Sequence, residues 1–218
     1  MDKQGAISAK AWAELEFIAT PYCEICGIPF EFQEAAIGDA CCECSEKPKK
    51  YNRARAALIY NDTSRDLILG FKHGDKTHIA PTFVPWLLRS GQKLIDQSDV
   101  IVPVPLHYRR LITRRYNQAA IIAQTLAKTA KKPHLPMALK RIKATASQGH
   151  LKADERTQNV ANAFQINQRY KAVIKDQTVL LIDDVYTTGA TINECTKTLL
   201  EAGAAKVNVL TLARVTKN

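Results

Sequence analysis

The sequence predicts an α/β fold: a parallel sheet with helices on both faces, preceded by a small cysteine-rich module. Three observations carry this. Beyond about residue 50, short apolar runs alternate with helical patterns, as parallel strands joined by crossover helices do. Five of the six cysteines crowd into residues 23–44. The aliphatic run 179–182 ends in two carboxylates and a hydroxyl-rich turn, the pattern of a strand that delivers functional groups to the C-terminal edge of an open sheet. The 218 residues, 46% hydrophobic, suffice for one full domain and a small satellite.

In chain order, residues 6–20 read as an amphipathic helix with Trp12, Leu15, Ile18 and Ala19 on one stripe, suited to ordinary packing rather than to a membrane anchor. The cysteines follow as Cys23-x2-Cys26 and Cys41-Cys42-x-Cys44. Two such pairs are what a tetrahedral zinc site needs, because each short knuckle presents two thiolates from one turn. Gly27 after the second ligand lets the backbone turn back around the metal. The alternatives are two disulfides or buried free thiols, and a cytosolic chain favours zinc on Cys23, Cys26, Cys41 and Cys44, with Cys42 spare. Four thiolates leave no open position, so the role expected of the zinc is structural.

Residues 46–52, with Pro48 and three lysines, read as a linker, which divides the chain into 1–50 and 51–218. Strand-like runs then fall at 56–60, 100–104, 178–182 and 206–213, with a weaker one at 137–142, and helical patterns at 64–71, 117–128 and 190–201. The polar stretch 144–162 fits neither period. A loop of that length inside a domain suggests a functional lid.

Charge is distributed unevenly. The formal net charge is +10, yet residues 1–50 carry −4, and the 54 residues from 100 to 153 hold 11 Lys or Arg and no acid. Such a basic face attracts phosphates, whether of nucleic acid, a small molecule or a lipid. No apolar run approaches the about 18 residues that span a bilayer. The N-terminus, with Glu14 and Glu16 in its most apolar stretch, lacks a signal-peptide layout, so a soluble, cytoplasmic protein with no membrane span is expected.

The segment with the most chemistry runs from Val179 to Thr191. Its strand ends in Asp183 and Asp184, and Thr187-Thr188-Gly189-Ala190-Thr191 then opens a helix. Backbone N–H groups of such a loop can converge on one phosphate, aided by the helix N-terminus and the threonine hydroxyls. Gly189 lets the backbone come close to the anion. Two carboxylates would repel a phosphate but suit the vicinal hydroxyls of a ribose. Together these features describe a ribose 5-phosphate site; a metal-binding or phosphorelay aspartate pair with an incidental helix cap is the alternative.

These thirteen residues resemble the phosphoribosyl-pyrophosphate signature of type I phosphoribosyltransferases. The resemblance implies that Asp183 and Asp184 hold the ribose hydroxyls and that Thr187, Thr188, Gly189, Ala190 and Thr191 hold the 5-phosphate. Further segments (71–75, 99–106, Arg114-Arg115-Tyr116-Asn117-Gln118, Gln148, Arg156, Asn159 and Phe164) resemble the ComF family, which joins a four-cysteine zinc module to a phosphoribosyltransferase domain and is associated with DNA uptake. One departure from the family pattern is Arg115, where a glycine is expected. The resemblance implies magnesium, phosphoribosyl pyrophosphate as ligand, and a pyrophosphate loop charged by Arg109, Arg110 and Arg114. It also implies that Arg156 closes over the leaving group. As isolated residues these arginines also read as solvated surface charges, and Lys72 before Gly74 as a helix C-cap. Two functions follow: a Mg-dependent transferase with an unidentified acceptor, or a non-catalytic protein that handles single-stranded DNA and uses the phosphoribosyl site as a ligand sensor or DNA contact, with DNA or DNA-uptake proteins as further partners.

Overall fold

A computed structural model describes residues 7–30, 39–73, 77–143 and 158–216, apart from the side chains of His73 and Arg110. Four parallel strands form the main sheet: β1 (Arg53–Ile59), β2 (Val100–Pro103), β5 (Thr178–Tyr186) and β6 (Lys206–Arg214), in the order β1-β6-β5-β2. Alternate residues of each strand enter opposite faces. Val179 and Leu181 join Val100, Val102, Val207 and Val209 on one side; Leu180 and Ile182 join Ile101, Leu212 and Leu58 on the other. Burial on both faces explains why these strands read as unbroken aliphatic runs.

The second face is covered by α3 (Asp62–His73), α4 (Ala80–Asp96) and α6 (Gln118–Ala130), which bury Ile68, Phe71, Phe83, Leu87, Ile122 and Leu126. Helix α4 occupies a stretch the sequence reading leaves unassigned. Pro81 suits its first turn, while Pro85 lies inside it, and its apolar face against the sheet outweighs the backbone bond lost at Pro85. The first face carries α8 (Ala190–Glu201), with α7 (Lys171–Ile174) nearby, and the two-stranded antiparallel pair β3 (Leu139–Arg141) and β4 (Phe164–Ile166). The run expected at 137–142 therefore lies outside the parallel sheet.

The N-terminal helix is shorter than the pattern predicts. Helix α1 covers only Ala9–Glu14, and Trp12, 51% exposed, packs at a tilt against Phe17 and Trp86. The chain then extends antiparallel to β1, with Ile18 N–H donating to Ala57 and Ile59 N–H to Glu16. At the other edge, residues 133–135 pair with Ile101, so both edges of the sheet are covered. No helix among the described residues is long and apolar enough to cross a membrane.

Candidate functional site

Strand β5 does not stop at its aliphatics. It pairs through Tyr186, so Asp183 and Asp184 are strand residues that face opposite sides of the sheet. Asp184 Oδ2 meets Lys72 Nζ at 2.9 Å, both side chains less than one-fifth exposed. Lys72 reaches it because the last turn of α3 is clamped: Tyr116 Oη donates to the Phe71 carbonyl at 2.6 Å and Gln118 Nε2 to the Lys72 carbonyl at 3.3 Å. Asn117 Nδ2 donates to Val104 O, while its Oδ1 caps α6 at Ala119 N–H. The Tyr116-Asn117-Gln118 segment thus fixes Lys72 against Asp184, a relation that local sequence signals could not reveal.

Asp183 lies on the side of α8 and Arg141. Burial, then the neighbouring Asp184 charge, push its carboxyl up to about 7, against the opposing pull of the Asp184 N–H, Lys72 and Arg141. A carboxylate kept in such a place is a functional-site signal. Asp184 N–H donates to Asp183 Oδ1 at 2.9 Å, which fixes its rotamer.

Three residues separate β5 from α8. Gly189 is the N-cap of α8 at φ +76°, and a Cβ there would overlap the Tyr186 hydroxyl, so both conformation and space require glycine. Glycine brings no side chain to cap the helix, and Ala190 N–H reaches Thr188 Oγ1 at 3.5 Å. The first-turn N–H groups lack helical partners and are the donors an anion takes. Thr187 is exposed, and Thr188 and Thr191 are half-buried.

Helix α5 (Tyr108–Arg114) leaves the same sheet edge, since Val104 N–H still donates to Ile182 O. His107 Nδ1 caps it at Arg109 N–H. Arg109 is exposed, its Nε donating to Tyr108 Oη at 3.3 Å, and Arg114 is half-buried. The Arg110 side chain and Arg156, with the rest of 144–157, lie outside the described residues. Arg115 adopts φ +64°. An arginine therefore occupies the left-handed conformation that favours glycine.

The cysteine cluster packs against the first face of the sheet. The sulfurs of Cys23, Cys26, Cys41 and Cys44 all lie within 4.8 Å of one another, with Cys26 and Cys41 at 3.8 Å. Tetrahedral thiolates at about 2.3 Å from a zinc ion stand about 3.8 Å apart, so the donor set fits that ion. Cys23 Sγ accepts N–H bonds from Cys26 and Cys41. The Cys26 thiol beside it lowers the Cys23 pKa to about 4 despite burial, while burial first of all pushes Cys44 up to about 12. Cys42 is exposed and Cys195 is buried. The knuckle is tied to β1 by Ala54 N–H donating to Ile25 O and Arg55 pairing with Glu24. A Cβ on Gly27, at φ +71°, would strike the Ala54 carbonyl.

Residues 117–218 match the family of the phosphoribosyl transferase domain. The chain is 32% identical to Competence protein F of Haemophilus influenzae over 203 residues, covering 89% of this chain and 85% of that protein. It is 32% identical over 200 residues to DNA utilization protein YhgH of Salmonella typhimurium, at 88% and 83% coverage. With Competence protein ComFC of Bacillus subtilis the identity is 27% over 210 residues, at 93% and 81% coverage. The likeness runs through the cysteine module and the phosphoribosyltransferase-type domain alike, and the chain belongs to the ComF family.

Proposed function

We propose that this protein binds phosphoribosyl pyrophosphate at the C-terminal end of β5. The observation that supports this best is the succession of two carboxylates near the end of a strand, an αL glycine and the helix N-terminus that this glycine opens. The N–H groups and hydroxyls of Thr187, Thr188, Gly189, Ala190 and Thr191 take the 5-phosphate, and Asp183 and Asp184 accept from the ribose hydroxyls. Arg109, Arg110 and Arg114 offer charge to the pyrophosphate, joined by Arg156, and bidentate guanidinium suits it. Magnesium, when bound with the ligand, would supply positive charge that neutralises the pyrophosphate. In a transfer reaction the bond from the anomeric carbon to pyrophosphate breaks as one to a nitrogen nucleophile forms. This chain then contributes position and charge. Structural zinc on the four cysteines, a division near residue 50, a cytoplasmic location and a role in DNA uptake complete the reading. The last is supported by the names of the relatives.

Calorimetric titration with phosphoribosyl pyrophosphate and magnesium tests it. Wild type should bind, and Asp184→Asn should lose affinity with fold and metal content unchanged; equal affinity overturns the ribose assignment.

A second reading, the handling of single-stranded DNA, is favoured by one surface feature. Met137, Lys140, Asn167, Arg169 and Tyr170 line a cavity of about 410 Å³, in part within the acid-free stretch. Cations beside an aromatic ring are what a single strand uses. Affinity for an oligonucleotide should fall steeply with salt. Its absence at low salt removes this reading.

A further inference from the structure

The cysteine cluster and the phosphate loop are joined by a short path of buried contacts. Arg214, the last residue of β6, is 5% exposed, and its Nη1 donates to the carbonyl of Cys26, one of the four cluster residues. Its guanidinium lies 4.4 Å from the ring centroid of Tyr186. Tyr186 ends β5 opposite Arg214, and its hydroxyl shares a 2.9 Å hydrogen bond with Tyr51. That hydroxyl fills the space beneath Gly189, where α8 begins. Two side chains therefore bridge a cluster residue and the loop.

The charges agree with such a link. A buried guanidinium is costly unless it is countered, and four thiolates on a dication carry a net charge of about −2. With a metal present, Arg214 is held between that negative centre and a ring face. The bond to the Cys26 carbonyl is the point at which filling of the cluster can reach the guanidinium and, through it, Tyr186.

We propose that Arg214 and Tyr186 are positioning residues that couple the metal-filled cluster to the phosphate loop, so that anion affinity and metal retention rise and fall together. This rests on the phosphoribosyl reading of the loop. Such coupling is reciprocal: whatever factor the metal adds to ligand affinity, the ligand adds to metal affinity.

The test uses the full chain loaded with zinc. Zinc transfer to a chromophoric chelator that ignores magnesium is measured with and without saturating phosphoribosyl pyrophosphate, alongside calorimetry with the same ligand. In wild type the ligand should strengthen zinc retention about 5- to 150-fold, the range of ordinary coupling energies. Arg214→Gln should keep one zinc per chain but lose the ligand dependence. Arg214→Lys, which keeps the charge but not the planar stack, should retain part of it. Tyr186→Phe serves if the arginine variants do not fold, and should reduce the ligand effect at unchanged zinc content. A merely structural arginine would shift zinc retention equally with and without ligand. Ligand binding that leaves zinc retention unmoved in wild type, or full coupling in Arg214→Gln, overturns the inference alone. No binding to wild type overturns the phosphoribosyl reading and the inference with it.

Discussion

Replacing Asp183 by asparagine should stabilise the ligand-free protein at neutral and alkaline pH. Burial and the adjacent Asp184 hold the Asp183 carboxyl up to about 7, against 3.8 for an unperturbed aspartate. The folded state thus holds this proton more tightly than the unfolded chain does. The stabilisation is fully present below about pH 4 and is lost as pH rises to about 7. Three pKa units correspond to about 4 kcal/mol, an upper bound, since Asp183 is only half-buried and water reduces the effect to about 2 kcal/mol. Asparagine keeps the acceptor for the Asp184 N–H and has nothing to ionise. Denaturant unfolding of both proteins from pH 4 to pH 8 isolates the difference. Asp183→Asn should gain about 2 kcal/mol relative to wild type across that window, while ligand affinity falls. A stability difference that is constant with pH, or that grows as pH falls, refutes the reasoning.

Three further outcomes are expected. Cys26→Ser should lose stoichiometric zinc and about 3 kcal/mol or more of stability, read as a fall of about 6–12 °C in Tm for a chain of this size. Gly189→Ala, forced into φ +76° against the Tyr186 hydroxyl, should cost about 1–3 kcal/mol in denaturant unfolding and weaken phosphoribosyl pyrophosphate binding at least tenfold by calorimetry. Lys72→Met strands Asp184 and should cost about 1–3 kcal/mol. In the double variant with Asp184→Asn the loss should be smaller than the sum of the two single changes, as a double-mutant cycle will report.

The parts of the molecule that could be read from sequence are those whose cause is local. Burial on both faces makes β5 four consecutive aliphatics, and the helix expected at 190–201 coincides with α8 because Gly189 starts it and its apolar stripe is regular. The cysteine spacing needs no tertiary knowledge, and the four sulfurs do converge. What escaped the reading depends on distant partners. Lys72 looks like any basic residue near a helix end until Tyr116 and Gln118 pin that end against Asp184. Arg214 closes a strand and finds Cys26 at a separation of 188 residues. Residues 16–18 leave the helical pattern because β1 offers an open edge, and the three-residue β3 is made a strand by its pairing with β4 and, at Arg141, with His107.

The central claim is that the end of β5 and the start of α8 form a phosphoribosyl site. A crystal structure with phosphoribosyl pyrophosphate and magnesium bound tests it most directly. The expected result is the 5-phosphate on the N–H groups of residues 187–191 and the ribose hydroxyls on Asp183 and Asp184. A ligand seated elsewhere, such as on Lys140 and Arg169, with the β5–α8 loop empty, would contradict it.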